Sequence, residues 1–188
     1  MKLDRRIFLG AAAATLGTGL IGTAGAESAQ PRYLADHPFV RPARYLRAAG
    51  HDTALAPHGT KLKDLIAQGV AEDRIIISGR SKLLKVPEVM GRSVLIAGRK
   101  LPDVAAELTV ALGINWQHAP LSRCLDCNGA VEEVDPAEWG ARVDVGHVAI
   151  DGMLPLTHCA ACDKLYWQGG HALEMRARLA SWSSGRFV

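Results

Sequence analysis

The stretch Arg74–Leu84, "RIIISGRSKLL", decides the fold. Three consecutive isoleucines stopped by Ser78-Gly79 make a continuous β-branched block, the pattern of a strand buried on both faces. Such strands build open parallel α/β sheets, and those sheets place their ligand sites just beyond the carboxyl ends of the strands. The residues at that end here are Ser78, Gly79 and Arg80. The chemistry of the sheet edge therefore turns on them.

Upstream, "RYLAD" reads as a strand ending at Asp36, and "VRPARYLRAAG" as a helix with Arg41, Arg44 and Arg47 at threefold spacing and a stop at Gly50. "HDTALA" reads as a second short strand, and "TKLKDLIAQGV" as a helix opened by Thr60. Downstream, "RSVLIAG" supplies a fourth strand and "LPDVAAELTVALGI" a helix with Pro102 in its first turn. Strand and helix alternate, which predicts an α/β fold with a parallel sheet and helices on both faces. A hydrophobic content of 48% over 188 residues is enough for a real core, and 5% aromatics predicts that the core is aliphatic. The formal net charge of +3 permits a polyanionic partner without demanding one.

Residues 1–30 read as an export signal. Lys2, Arg5 and Arg6 form a basic start, a weakly apolar run follows, and Ala24-Gly25-Ala26 supplies a small-x-small cleavage pattern. Arg5, Arg6, Phe8 and Leu9 resemble the twin-arginine consensus. The alternative, a membrane-spanning helix, suits the run less well because it holds many glycines and alanines. If the signal is used, the protein folds before export to the periplasm or cell exterior and no stable membrane insertion follows its cleavage; otherwise the protein is cytoplasmic. The rest divides into an α/β domain over 31–118 and a second unit over 119–188, where all four cysteines lie and a last helix, "GGHALEMRARLASW", ends at Trp182.

"RCLDCNG" and "HCAACDK" are two Cys-x-x-Cys turns, Cys124 with Cys127 and Cys159 with Cys162. Each turn aims two sulfurs at one point, and two turns supply a tetrahedral four-thiolate zinc site of structural type. Asn128 and Gly129 follow the first turn, where a left-handed backbone is often required. Disulfides, or a redox Cys-x-x-Cys, are the competing readings.

With the cysteines placed, the chain resembles the Mut-seven C-terminal RNase domain family, a PIN-like α/β domain followed by a zinc ribbon. Arg123, Cys124, Cys127, Asn128, Cys159, Cys162, Tyr166, Trp167, Gly169 and His171 fall on that family's pattern, and "LADHPFVRPARYLRAAGHDT" is similar to its first half. The resemblance implies RNA as substrate or ligand. It also implies acidic residues at the sheet edge that hold Mg2+ or Mn2+ for phosphodiester hydrolysis. Asp36 matches the first acid and Asp64 is placed as the second, which makes these two the expected catalytic residues. Where the family has a third acid, this chain has Ser78-Gly79-Arg80, and where it has an acidic pair after the fourth strand this chain has Gly98, Arg99 and Lys100, with Asp103 a weak substitute. A positive charge about 5 Å from a divalent ion costs on the order of 6 kcal/mol at an effective dielectric of about 20.

Two functions are therefore expected to compete. One is a metal-dependent ribonuclease using Asp36 and Asp64. The other is a non-catalytic RNA-binding module in which Arg44, Arg47, Arg80 and Arg99 grip phosphates. A zinc-stabilised interaction domain with no RNA partner is a third. Tyr166 and Trp167 are expected to pack the ribbon, and His158 and His171 to be hydrogen-bonded structural residues because four thiolates complete the site.

Overall fold

The structure is a computed structural model that describes residues 30–139 and 155–188. The signal segment expected over 1–30 lies, but for its last residue, outside the described residues. Four short parallel strands, β1 (Tyr33–Ala35), β2 (Thr53–Leu55), β3 (Ile75–Ser78) and β4 (Ser93–Leu95), form a sheet in the order β2-β1-β3-β4. The chain builds outward from β1 to β2, then crosses back to add β3 and β4 on the other side. The reversal puts a topological switch point between β1 and β3, at the carboxyl ends that carry Asp36 and Arg80.

Side chains alternate across the sheet, so each strand feeds two cores. Tyr33, Ala35 and Ile77 face the larger core, beneath α1 (Val40–Ala48), α3 (Leu101–Leu112) and α5 (Gly170–Ser183). Leu34 and Ile76 face a smaller one, closed by Leu65 of α2 (Leu62–Ala71) and by Leu83 and Val89 from two 3-10 turns that connect β3 to β4. The isoleucine block is thus buried on both faces, with Ile76 and Ile77 fully inaccessible.

Two local expectations are corrected. Thr60 does not cap α2: Lys61 holds the N-cap position, and the Thr60 hydroxyl turns back to donate to the Pro57 carbonyl at 2.7 Å. The core is also not purely aliphatic, because the few aromatics concentrate in it. Trp182 of α5 packs against Tyr45 and Trp116, with ring centroids 4.9 and 4.8 Å apart.

Beyond α3, an antiparallel sheet of β5 (Glu132–Val134), β6 (Leu156–Cys159) and β7 (Lys164–Trp167) follows, with one turn of helix, α4 (Pro136–Trp139), after β5. The chain entering this unit is pinned to the end of α1, where Ala119 and Leu121 N–H donate to the carbonyls of Ala49 and Ala48 at 2.9 and 2.7 Å. That approach requires Gly50: its φ is +96°, and a Cβ there would lie 2.6 Å from the Ala119 carbonyl oxygen. The helix that ends the second unit returns to the first, burying Met175, Leu179 and Trp182 in the larger core.

Because Trp182 is the largest anchor of α5, Trp182→Ala is expected to destabilise the protein by roughly 3–5 kcal/mol, read as a lowered midpoint in urea unfolding. A change below 1 kcal/mol, on the order of a surface substitution, would show that α5 does not depend on this contact.

Candidate functional site

At the switch point, Asp36 is 1% exposed. A carboxylate buried so deeply must be paired, and four donors surround it. Oδ1 accepts from the His37 backbone N–H and from Arg80 Nη2, both at 3.0 Å; Oδ2 accepts from the Ser78 hydroxyl at 2.7 Å and Arg80 Nε at 2.8 Å. Arg80 therefore grips the carboxylate in a two-pronged fashion. Its Nη2 also donates to the Thr60 carbonyl at 3.0 Å, and the Arg80 N–H donates to Ser78 Oγ at 3.1 Å. Ser78 ends β3 beneath the pair, and Arg80, two residues on, reaches back to the end of the neighbouring strand.

These residues do not fit the divalent ion that the lineage implies. Both Asp36 oxygens face a guanidinium, and Mg2+ or Mn2+ needs several hard oxygen ligands at one point. Asp64 is exposed on the first turn of α2, and Asp103 is exposed on the first turn of α3. Among the described residues, the group of three or more His, Cys, Asp or Glu close enough to share an ion is the four cysteines, so Asp36, Asp64 and Asp103 do not assemble into one.

Beside Asp36 opens a cleft of about 1020 Å³, lined among others by Arg41, Arg80, Arg99, Lys100 and Arg178. With the Asp36 charge offset by Arg80, the remaining four side chains leave it positive. Arg99 and Lys100 stand at the amino end of α3, whose first turn has no side-chain cap and adds the positive end of its dipole. The loop carrying them is held by Glu107, whose Oε2 and Oε1 accept from the Ala97 and Gly98 N–H groups, each at 2.8 Å.

Arg44 and Arg47, named with Arg80 and Arg99 as phosphate-gripping candidates, do not line this cleft. Arg44 pairs with Asp126 at 3.1 Å. Arg47 is 4% exposed and spends its donors on backbone: Nε on the Thr53 carbonyl at 2.8 Å, Nη1 on those of Leu125 and Asp126 at 2.9 and 2.7 Å. Arg178 of α5 and Glu107 were not singled out from the sequence. Their roles depend on which side chains face them after folding, for which no local signal exists.

The second site is the cysteine cluster. All four sulfurs lie within 4.8 Å of one another, with Cys124 to Cys162 at 3.5 Å and Cys127 to Cys159 at 3.4 Å, and none is in a disulfide. Four sulfurs about 2.3 Å from a tetrahedral ion lie about 3.8 Å apart, so the cluster is placed to hold a metal. Burial pushes the Cys124 thiol up, but the N–H groups of Cys127 and Asp126 and the Tyr166 hydroxyl outweigh that and bring it down to about 6. The neighbouring sulfurs, Cys127 first, then push Cys162 up to about 12, so four thiolates need a bound cation to coexist.

Tyr166 packs this cluster as expected: its hydroxyl donates to Cys124 Sγ at 3.0 Å and accepts from the Leu125 N–H at 3.2 Å. His158 bonds Asp163 at 2.8 Å, whereas His171 is exposed on the first turn of α5 and makes no hydrogen bond among the described residues. Asn128 adopts φ 73°, the left-handed turn expected there. Its side chain ties the cluster to the parallel sheet, Oδ1 accepting from the Thr53 N–H at 2.9 Å and Nδ2 donating to Asp52 at 2.8 Å.

A parallel α/β domain with a charged switch point, joined to a lobe with a four-cysteine cluster that could hold a metal, is thus the class that fold and sites define. The Mut7-C RNAse domain model matches residues 31–179, and the chain belongs to that family. No curated protein and no solved structure gives a significant match.

Asp52 joins the two units. Burial pushes its carboxyl up, but hydrogen bonds from Arg74 at 2.6 Å and from Asn128 outweigh that and hold it below the usual range. A depressed folded-state value means that the ionised form stabilises the fold above the ordinary carboxylate range and that this contribution disappears as pH falls through the folded-state value. Asp52→Asn is expected to cost about 1–3 kcal/mol at pH 7, with the gap to the unsubstituted protein closing below about pH 4. Urea midpoints measured from pH 7 to pH 3 check this, and a gap independent of pH would contradict it.

Proposed function

We propose that this protein is an RNA-binding member of the Mut7-C RNase family that grips phosphates directly in its basic cleft, without a divalent ion, and that its second lobe is held by structural zinc. The observation that carries this reading is the two-pronged pairing of Arg80 with Asp36. That pair gives the buried carboxylate a permanent counter-ion, so hydrolysis by Mg2+ or Mn2+ on Asp36 and Asp64 is not supported. The charge surplus is instead offered to a ligand by Arg41, Arg99, Lys100 and Arg178, which line one cleft at the switch point. Rows of guanidinium and ammonium groups along such an edge suit a phosphate chain, and binding of that kind weakens steeply with salt.

Zinc is favoured for the cysteine site because four soft thiolates in two tight turns match its tetrahedral preference. A four-thiolate zinc carries a net negative charge, and buried Arg47, bonded to the carbonyls of Leu125 and Asp126, stands against it. Native mass spectrometry is expected to find one zinc per chain, lost in Cys159→Ser together with resistance of the lobe to proteolysis. A metal-free protein with two disulfides would replace the zinc reading.

For the cleft, fluorescence anisotropy with single-stranded oligoribonucleotides is expected to show binding that needs no Mg2+ or Mn2+. The double substitution Arg99→Glu with Lys100→Glu should weaken it at least about tenfold and flatten its salt dependence by about two phosphate contacts. No binding at low salt would overturn the reading, and cleavage that requires added manganese and is abolished by Asp36→Ala would restore the metal-dependent one.

A further inference from the structure

Two imidazoles stand at the same sheet edge, beside the Asp36–Arg80 pair. His37 follows Asp36 directly, and His58 lies in the loop after β2, the strand next to β1. Their rings meet edge to face with centroids 4.8 Å apart. His37 is half-buried and His58 exposed, and neither ring makes a hydrogen bond among the described residues. Arg80 links the two segments that carry them: its Nη2 donates to Asp36, whose Oδ1 also accepts the His37 N–H, and to the Thr60 carbonyl in the loop of His58. Arg80 Nη1 has no partner among the described residues, and the side chain is 35% exposed.

Resting on the RNA-binding reading, we infer that His37 and His58 are an acid–base pair that cleaves the bound RNA by transphosphorylation without a metal. Arg80 Nη1, held in place by Asp36, contacts a non-bridging oxygen of the phosphodiester lying across the two rings. One neutral imidazole takes the proton from the ribose 2′-hydroxyl as its oxygen bonds to phosphorus. The P–O5′ bond breaks, and the other imidazole, protonated, gives its proton to the departing O5′. The products are a 2′,3′-cyclic phosphate and a 5′-hydroxyl, and the two histidines have exchanged protonation states. Imidazole is the side-chain group that can both take up and give a proton, so a pair of them can serve the two roles. The same edge thereby replaces metal-activated water with an internal nucleophile, which the substrate supplies only if it is RNA.

The test uses the zinc-loaded full chain in buffer with no added divalent ion, an end-labelled oligoribonucleotide, and its all-deoxy counterpart. Cleavage of the RNA alone, with 2′,3′-cyclic phosphate ends by mass spectrometry, is expected. His37→Gln and His58→Gln should each slow it at least about 100-fold while keeping zinc content and RNA affinity, which separates lost chemistry from lost folding. RNA bound but left intact overturns this inference and leaves the binding reading standing, as does metal-free cleavage that survives both substitutions; cleavage that needs manganese overturns both. Failure to bind RNA at all overturns the binding reading and this one with it.

Discussion

The buried charge of Asp36 is the constraint on which the sheet edge depends. A carboxylate at 1% exposure cannot remain ionised without a counter-charge, and a metal site meets that need only with several further oxygen ligands. Here Arg80 meets it from the next strand, assisted by Ser78 and the His37 N–H. Once the pair forms, several consequences follow together. The end of β3 is locked to the end of β1, the loop at Thr60 is drawn in through its carbonyl, and the other basic side chains of the cleft are no longer balanced by the carboxylate. The edge is left with a positive surplus from Arg41, Arg99, Lys100 and Arg178.

The second unit is held by a different use of arginine. Arg47 is buried between α1, β2 and the first cysteine turn, giving three hydrogen bonds to backbone carbonyls. Asn128 and Asp52 complete the junction from the other side, with Arg123 reaching the Gly50 and Asn128 carbonyls at 3.2 and 3.0 Å. The turn that carries Cys124 and Cys127 is therefore also the surface against which β2 begins. The cysteine cluster and the parallel sheet are joined through these few polar contacts, while α5 joins the two units through apolar ones.

Much of the fold was legible because its signals are local. The isoleucine block, the Gly50 stop, the helix opened near Pro102 and the paired Cys-x-x-Cys turns each depend on residues within a few positions of one another, and each appears where the periodicity or turn chemistry places it. Thr60 failed as a cap because its hydroxyl found the Pro57 carbonyl first, a competition that spacing alone does not resolve. The site was less legible. Arg47 and Arg99 look alike in the sequence, as basic residues at a helix end, yet one is spent inside the molecule and the other lines the cleft.

By itself the sequence determined the class of fold, two Cys-x-x-Cys turns able to share one metal and the presence of a base, Arg80, just past the isoleucine strand, since these follow from short-range pattern and residue identity. Only the tertiary structure decided what that base does. The partners Asp36 and Arg80 come from the ends of strands adjacent in space and far apart in the chain; Tyr45 of α1 and Arg178 of α5, whose guanidinium donates to the Tyr45 hydroxyl at 2.7 Å, are likewise distant in sequence. Whether an arginine repels a metal, fills its place or turns to solvent depends on the distance and burial of its neighbours, because the energy of a charge is set by its surroundings rather than by its position in the chain.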